Sequence, residues 1–322
     1  MLRNTTATAL LVLIAAYVST GQSRHSVAAA PPVPGVSSSS LQDLVNQAAR
    51  TTLARFADKK LQESQLSITL IDLRNPQQPV TASFRGNERI YPASVVKLFY
   101  LVAAHRSLED KKIEETPELR RSLKDMIVDS SNEATQYIVD VVTHTTSGYE
   151  LPAKEMEKWQ FQRNAVNRYF TRLGYTNINV NQKTFCEDAY GRERVSRGPK
   201  GENRNKLTTD ATARLFMEIA LGKAVTTMRS AQMMELLKRD PSSKTSDQDS
   251  QDTGFTGPAV PSGARYWGKA GWTSTTRHDA AYIEMPDGSK FVLVTFTADH
   301  ANERQIIPAV ARVVIEGLKY VK

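Results

Sequence analysis

Three short patterns of polar residues each occur once in the 322-residue chain. They are Ser94–Lys97 (Ser-Val-Val-Lys), Ser130–Asn132 (Ser-Ser-Asn) and Lys269–Gly271 (Lys-Ala-Gly). A serine hydroxyl attacks an acyl carbon efficiently only when a neighbouring base removes its proton, and a lysine can be that base when burial disfavours its ammonium form. The three patterns therefore indicate nucleophilic acyl transfer, provided that the fold brings them to one site.

The first pattern opens a predicted helix that is apolar on every side. Val95 to Ala104 is interrupted only by Lys97, and an all-apolar helix is a buried one. Lys97 lies nearly one turn after Ser94 and so shares its face, and the helix N-terminus favours negative charge developing near Ser94. These features predict Ser94 as nucleophile and Lys97 as its base. The alternative is a capping serine beside a lysine that reaches the surface.

The second pattern falls at a break between two predicted helices. The Ser130 hydroxyl can relay a proton to a leaving group, and the Asn132 amide can bind a substrate carbonyl or hold the lysine. The alternative is a helix N-cap, a position that Ser and Asn favour.

The third pattern lies on a predicted strand near the end of the chain. Lys269 can offer positive charge to a substrate carboxylate and to Ser130, and Gly271 would let a substrate backbone approach the strand edge. The alternative is an edge-strand lysine that prevents aggregation.

The elements needed to position these residues come from both ends of the chain. Alternating runs predict strands at 66–73, 80–84, 266–272, 280–285 and 291–297, and helical spacing predicts helices between them, including one long helix over 153–173. Residues 174–206 are expected to be irregular, and 240–262 to form a mobile loop. The expected fold is α+β: one antiparallel sheet built from both chain ends, with a helical subdomain at about 94–225.

The N-terminal region has the composition of a secretory signal. Residues 8–18 are mostly apolar but too few to span a bilayer, and small or polar residues follow. We expect a signal peptide and the start of a linker over 1–30, the rest of the linker over 31–40, and a single domain over 41–322. The protein is then exported, to the periplasm or the extracellular space. An uncleaved membrane anchor is the alternative.

Composition excludes several other functions. The net charge of +8 favours anionic surfaces or simply solubility, and the dispersed basic residues argue against nucleic acid. Cys186 is the only cysteine, so no internal disulfide is expected, and the five histidines lack metal-ligand spacing. We predict no cofactor and no metal, a monomer, and no membrane contact beyond the signal segment.

Together, the three patterns and the order of elements resemble the class A β-lactamase and penicillin-binding family. The resemblance covers most of residues 41–322. It implies that Ser94 is acylated, that Lys97 is its base, that Ser130 relays the proton and that Lys269 anchors the side of the site that takes the substrate carboxylate. It further implies an oxyanion hole from the N–H groups of Ser94 and Trp272, with Arg277 or His278 assisting carboxylate binding.

The chain departs from that family pattern at informative positions. Ser131 replaces the usual Asp, and Ala270 replaces a hydroxyl residue that would donate to the substrate carboxylate. Trp272 is bulkier than the usual residue and would narrow the cleft. The glutamate that would activate the deacylating water is Glu187, Glu193 or Glu202, or none of them, since none has Asn four residues later.

Three functions therefore remain open from the sequence. The first is a β-lactamase that forms an acyl-enzyme at Ser94 and hydrolyses β-lactam amide bonds. The second is a D,D-peptidase-like or esterase-like enzyme acting on cell-wall peptides or other acyl substrates. The third is a catalytically weak binding protein with the same fold.

Overall fold

The computed structural model of the protein describes residues 40–185 and 188–321. The predicted signal peptide and all but the last residue of the predicted linker lie outside the described residues. Cys186 and Glu187 do as well, so the expectations placed on them stay predictions.

The centre of the fold is a six-stranded antiparallel sheet. Its strands are β1 (Leu66–Asp72), β2 (Val80–Phe84), β3 (Lys238–Arg239), β4 (Arg265–Trp272), β5 (Thr276–Glu284) and β6 (Lys290–Ala298). Their order in the sheet is β2-β1-β6-β5-β4-β3. Because β1 pairs directly with β6, the sheet joins the two ends of the chain, which confirms the predicted fold class.

Ten α-helices surround the sheet in the described residues. They are α1 (Leu41–Arg55), α2 (Lys97–Glu109), α3 (Pro117–Ile127), α4 (Asn132–Thr143), α5 (Ala153–Arg163), α6 (Ala165–Arg172), α7 (Gly191–Arg197), α8 (Thr209–Ala220), α9 (Thr227–Leu237) and α10 (Ile306–Gly317). None of the described helices is long and apolar enough to cross a membrane.

Two apolar cores lie on opposite faces of the sheet. Strand alternation sends Leu293 to one face, with α1 and α10, and Val292 to the other, with α2, α3, α4, α6, α8 and α9. Helix α2 is buried along most of its length, as its all-apolar sequence predicts. It is therefore a rigid support for the residues at its start.

The prediction of one continuous helix over 153–173 is wrong, because the helix breaks into α5 and α6 at Asn164. The Asn164 side chain accepts hydrogen bonds from the side-chain amides of Asn167 and Asn181, at 3.0 and 2.7 Å. Asparagine side chains compete with the helix backbone for hydrogen bonds, so asparagine is more favourable at helix ends than in helix interiors. Helical periodicity on either side hid the break.

Three other segments differ from the prediction. Strand β5 begins at Thr276, four residues early, because its first residues are polar yet buried. Helix α7 lies within the segment expected to be irregular. Residues 240–262, expected to be a mobile loop, make specific contacts with β4 and β5 that are described below.

Candidate active site

Ser94 lies in a tight turn that leads into α2. Residues Ala93–Val96 form one 3₁₀ turn, and α2 continues from Lys97. Ala93 has φ +45°, a conformation that costs energy for any residue with a Cβ. The side chain of Ser94 is only partly buried, whereas both flanking residues are buried. The turn therefore presents the hydroxyl at the edge of a buried helix.

Gly271 is required by the close approach of β4 to this turn. A Cβ at Gly271 would lie 2.6 Å from the Ser94 nitrogen and 2.7 Å from the Val95 nitrogen, which is closer than such atoms can pack. The structure shows that Gly271 admits the Ser94 turn, and its role in admitting a substrate backbone stays a prediction. The same contact brings the Ser94 amide beside β4, whose next residue is Trp272, as an oxyanion hole from those two N–H groups would require.

Lys97 is fully buried and reaches the turn before α4. Its Nζ donates to the Ser130 carbonyl oxygen at 2.5 Å, to Ser130 Oγ at 3.2 Å and to Asn132 Oδ1 at 2.9 Å. Asn132 thus holds the lysine, one of the two roles expected for it. Ser130 has φ +57°, so this turn also contains a strained non-glycine residue. Ser131 is the N-cap of α4, accepting from the Ala134 N–H at 3.0 Å.

Lys269 approaches the same hydroxyl from the opposite side. Its Nζ donates to Ser130 Oγ at 2.9 Å and to the Ala270 carbonyl oxygen at 2.8 Å. The side chain is fully buried, and burial, followed by the nearby charges of Lys97 and Arg239, holds the pKa of Lys269 well below its usual range. The neutral amine is thereby favoured at Lys269.

One serine hydroxyl is therefore shared by two buried lysines. Ser130 Oγ accepts from Lys97 and from Lys269, and the Ser94 turn packs against the strand that carries Lys269. Two ammonium groups so close together would repel each other, which, with burial, favours a neutral amine at Lys269 beside the shared hydroxyl. This arrangement can carry a proton from an attacking serine to a leaving group. The structure thus brings Ser94, Lys97, Ser130 and Lys269 together, and their catalytic roles stay predictions.

A cleft with a volume of about 540 Å³ opens beside this group. Ser130 and Trp272 both line it. Trp272 is 37% exposed and leans on Phe255, with ring centroids 5.6 Å apart. Its indole therefore forms part of the cleft wall, where it can limit the size of the group that enters.

Arg277 is not presented to the cleft. Its guanidinium donates to Asp249 Oδ1 at 2.7 Å and to the Gly254 carbonyl oxygen at 2.7 Å, and it lies 3.9 Å from the centroid of the Phe255 ring. The side chain is only 2% exposed. Binding a substrate carboxylate, as expected from the sequence, would require the Asp249 segment to move.

His278 holds the chain just before the Ser94 turn. It is fully buried; Nδ1 accepts from the Thr297 N–H at 3.1 Å, so Nε2 carries the proton and donates to the Tyr91 carbonyl oxygen at 2.9 Å. Burial lowers the pKa of His278 to about 4. His278, the other residue expected to assist carboxylate binding, is therefore neutral. Its hydrogen bond to Tyr91 ties β5 to the chain three residues before Ser94.

Gln251 is a site residue that the sequence did not reveal. Its Oε1 accepts from Lys269 Nζ at 2.6 Å and from the Ala270 N–H at 3.2 Å. Its Nε2 donates to the carbonyl oxygens of Ile127 and Val128, at 3.1 and 2.8 Å. A lone glutamine in a polar loop belongs to no motif, so only the folded chain shows that it spans the cleft.

The glutamates proposed for deacylation have different environments. Glu193 is fully buried and holds Arg163 through two hydrogen bonds, at 2.9 and 2.7 Å. Ser147 Oγ donates to it at 2.8 Å, and the ammonium of Lys183 is 3.6 Å away. Its carboxylate is therefore committed to a buried ion-pair cluster, which spacing along the chain could not indicate.

Glu202 is exposed and accepts from the Lys200 N–H at 3.1 Å, within its own loop. Glu187 lies outside the described residues.

Among the residues that the structure does describe, no group of three or more His, Cys, Asp or Glu side chains could hold a metal ion.

Comparison with solved structures finds the same fold in class A β-lactamases and in PBP-A. A β-lactamase from Sphaerobacter thermophilus superposes with a TM-score of 0.61 at 19% identity, over 87% of this chain and 98% of that one. PBP-A gives a TM-score of 0.60 at 15% identity, over 87% and 97% of the two chains. A β-lactamase from Chitinophaga pinensis gives 0.60 at 17% identity, over 85% and 98%. A search of curated protein sequences finds no match.

The sequence itself matches the model of the beta-lactamase enzyme family over residues 48–318. That range contains all three polar patterns and all six strands. It thus agrees with the resemblance inferred from the patterns and with the likeness of the folds. The chain belongs to the beta-lactamase enzyme family.

Proposed function

We propose that this protein is a serine hydrolase that is acylated at Ser94 and hydrolyses the amide bond of β-lactams. The observation that supports this most directly is the Ser130 hydroxyl, which two buried lysines share beside the Ser94 turn. Burying two lysine side chains for structural reasons alone would cost much desolvation free energy, because buried ammonium groups are unfavourable. A proton-relay function accounts for it.

In the proposed reaction, the Ser94 hydroxyl attacks the carbonyl carbon and Lys97 receives its proton. The N–H groups of Ser94 and Trp272 stabilise the oxyanion. When the C–N bond breaks, Ser130 donates a proton to the departing nitrogen and is reprotonated from the lysines. Water then attacks the ester and releases the product from Ser94.

Covalent labelling tests this proposal. A fluorescent penicillin should label the wild type, and Ser94→Ala should abolish the label. Ser250→Ala is the matched control, because Ser250 lines the same cleft and its hydroxyl accepts only the Asp252 N–H among the described contacts. Equal labelling of wild type and Ser94→Ala would refute acylation at Ser94.

A D,D-peptidase-like or esterase-like enzyme is the second candidate, and the environment of Glu193 favours it. A carboxylate bound to Arg163 on two sides is poorly placed to activate water, so the acyl-enzyme could persist. PBP-A, which shares the fold, has been captured in mutant form as an acyl-enzyme complex with penicillin G. Turnover of a chromogenic cephalosporin separates the candidates: hydrolysis after the first equivalent supports a β-lactamase, and a stable adduct supports the second candidate.

We also propose that the protein is exported, on the strength of the apolar run over residues 8–18. Signal cleavage should then leave a mature N-terminus between residues 20 and 30. N-terminal sequencing of the protein purified from its producing cells tests this. A mature chain that still begins at Met1 would contradict it.

A further inference from the structure

The segment 240–262, called here the cleft segment, reaches across the site next to Lys269. Within it, Gln251 connects the edge of β4 to the end of α3: its oxygen accepts from Lys269 and Ala270, and its nitrogen donates to the carbonyl oxygens of Ile127 and Val128. All four polar contacts of this amide are thus satisfied by the walls of the cleft.

The position of the Gln251 oxygen is one that suits an anion. A lysine Nζ at 2.6 Å and a backbone N–H at 3.2 Å converge on it. A carboxylate oxygen in this position would favour the ammonium form of Lys269 and so gain a charge-assisted hydrogen bond, which the neutral amide does not. Ser130 Oγ is 2.9 Å from the same lysine nitrogen, so the position lies next to the proposed chemistry. The chain therefore places its own amide oxygen where a substrate carboxylate would bind Lys269.

Phe255 of the same segment covers the neighbouring position on β4. Ala270 is 1% exposed and forms a small apolar cluster with Phe255 and Ile307. A hydroxyl at Ala270 would face this cluster without a partner, which is unfavourable. The Ala270 side chain therefore packs against Phe255 and Ile307 and offers no hydroxyl to a substrate carboxylate at Lys269.

Ion pairs hold the cleft segment in this position. Asp249 bonds Arg277 at 2.7 Å and Arg304 at 3.0 and 3.1 Å, two residues before Gln251. The Thr256 N–H donates to the buried Asp279 carboxylate at 3.1 Å on the other side of it. Gln251 is therefore fixed from both sides of its segment.

We propose that Gln251 is a specificity-determining residue that fills the carboxylate subsite at Lys269 and selects acyl substrates lacking a carboxylate at that position. The inference rests on the proposed function, since it concerns the substrates of the Ser94 reaction. Substrates with that carboxylate must displace the Gln251 amide, whereas neutral ones need not compete for Lys269.

A matched pair of substrates tests the inference. Benzylpenicillin and its methyl ester differ in the charge of that carboxylate and by one methyl group, and the rate of acylation by each is measured from intact mass. The wild type should react faster with the ester. Gln251→Ala should raise the rate with benzylpenicillin by roughly 10- to 100-fold, the value of a hydrogen bond to a charged group, and change the rate with the ester little.

Gln248→Ala is the matched control, because Gln248 is an exposed glutamine of the same segment. It should leave the ratio of the two rates unchanged. If Gln251→Ala loses cooperative unfolding, Gln251→Ser is the second variant, since it also withdraws the amide from Lys269. An unchanged ratio in a folded Gln251 variant would overturn the inference.

A binding measurement separates failure of this inference from failure of the proposed function. In the Ser94→Ala background, calorimetry with benzylpenicillin should show tighter binding when Gln251 is also replaced by Ala. If no variant is acylated but this gain is present, the proposed reaction fails and the subsite inference stands. If acylation occurs at Ser94 but neither binding nor the rate ratio responds, the subsite inference fails alone.

Discussion

At the scale of single residues, the site depends on one hydroxyl in an unfavourable backbone conformation. Ser130 has φ +57°, a conformation that glycine adopts more easily than serine. Its hydroxyl nevertheless accepts hydrogen bonds from both buried lysines, which glycine could not do. Strain of this kind is often found where a side chain is needed for chemistry. Stability should therefore depend on the backbone conformation at this position, and activity on the hydroxyl.

Ser130→Gly tests that separation. Glycine adopts a positive φ freely, so we expect Ser130→Gly to be more stable than Ser130→Ala by about 1–2 kcal/mol. Acylation should fall by about 10²- to 10⁴-fold in both variants as the proton relay is lost. Ser130→Ala, which loses the hydroxyl but keeps the strain, is the control. Urea unfolding and acylation rates measure the two effects, and retained acylation in both variants would exclude the relay.

Ala270 offers a second test at this scale. Replacing Ala270 by Thr should not restore carboxylate binding; it should destabilise the protein, because the new hydroxyl meets Phe255 and Ile307. Ala270→Val adds the same bulk without the hydroxyl, so the difference between the two variants isolates the polar group, at about 1–3 kcal/mol. Thermal unfolding measures it. A Thr variant as stable as the Val variant would show that the hydroxyl finds a partner in the cleft.

The sequence predicted the residues that meet at Ser130 because their types and spacing match the chemistry. It did not predict Gln251, whose contacts are with Lys269 on β4, 18 residues later, and with Ile127 at the end of α3, 124 residues earlier. It also suggested that Arg277 faces substrate, because a buried arginine and a cleft arginine look the same in a strand sequence. Arg277 is identified as buried only by its ion pair with Asp249, which forms when the chain folds and is not visible in the sequence.

At the scale of elements, β5 ties the sheet to the Ser94 turn through a neutral histidine. Burial lowers the pKa of His278 from 6.5 to about 4, so the unfolded chain takes up a proton at a higher pH than the folded one. The contribution of His278 to stability is then fully present above pH 6.5 and is lost as the pH falls from 6.5 to 4. Burial also lowers the pKa of His105 to about 4, with the same sign.

We therefore expect the free energy of unfolding to fall between pH 6.5 and 4, by about 3 kcal/mol for a histidine shifted this far. In His278→Gln, where nothing titrates at this position, the fall should be about half as large because His105 remains. Denaturant unfolding at a series of pH values measures it. The same pH dependence in wild type and variant would contradict a buried neutral His278.

The segment that carries α7 is fixed to α5 by a buried ion pair. Arg163 and Glu193 are 1% and 0% exposed. Removing either charge leaves the other with a longer ion pair only, from Arg163 to Asp140 at 3.2 Å or from Glu193 to Lys183 at 3.6 Å. Glu193→Leu or Arg163→Met should each cost about 3 kcal/mol of stability, and the double variant that combines them should recover much of it. Unfolding of the single and double variants measures the coupling. Additive losses would show that the two residues act independently.

Element boundaries show where sequence patterns stop being informative. The apolar repeat continues from α5 into α6, yet Asn164 ends one helix by bonding Asn167 and Asn181. Strand β5 was predicted too short because Arg277, His278 and Asp279 are polar, although each is buried with a partner. Periodicity reports apolar burial and does not detect polar groups that are satisfied inside the fold.

At the scale of the whole molecule, the sheet explains how distant parts of the chain form one site. Strands β1 and β2 come from the first third of the chain and β4 to β6 from its end, and β1 pairs with β6. The order of strands and helices in the sequence predicted this α+β arrangement. It did not predict that residues 240–262 lie across the cleft, because a loop rich in Ser, Asp and Gly has no pattern that specifies its contacts.

The proposed function depends on acylation of Ser94 within the network of Lys97, Ser130 and Lys269. The most direct test is intact mass spectrometry of the wild type and Ser94→Ala over time after mixing with benzylpenicillin, followed by peptide mapping. We expect the wild type to gain the mass of one penicillin on the peptide that contains Ser94, and Ser94→Ala to gain none. A mass gain in both proteins, or an adduct mapped to another residue, would contradict acylation at Ser94.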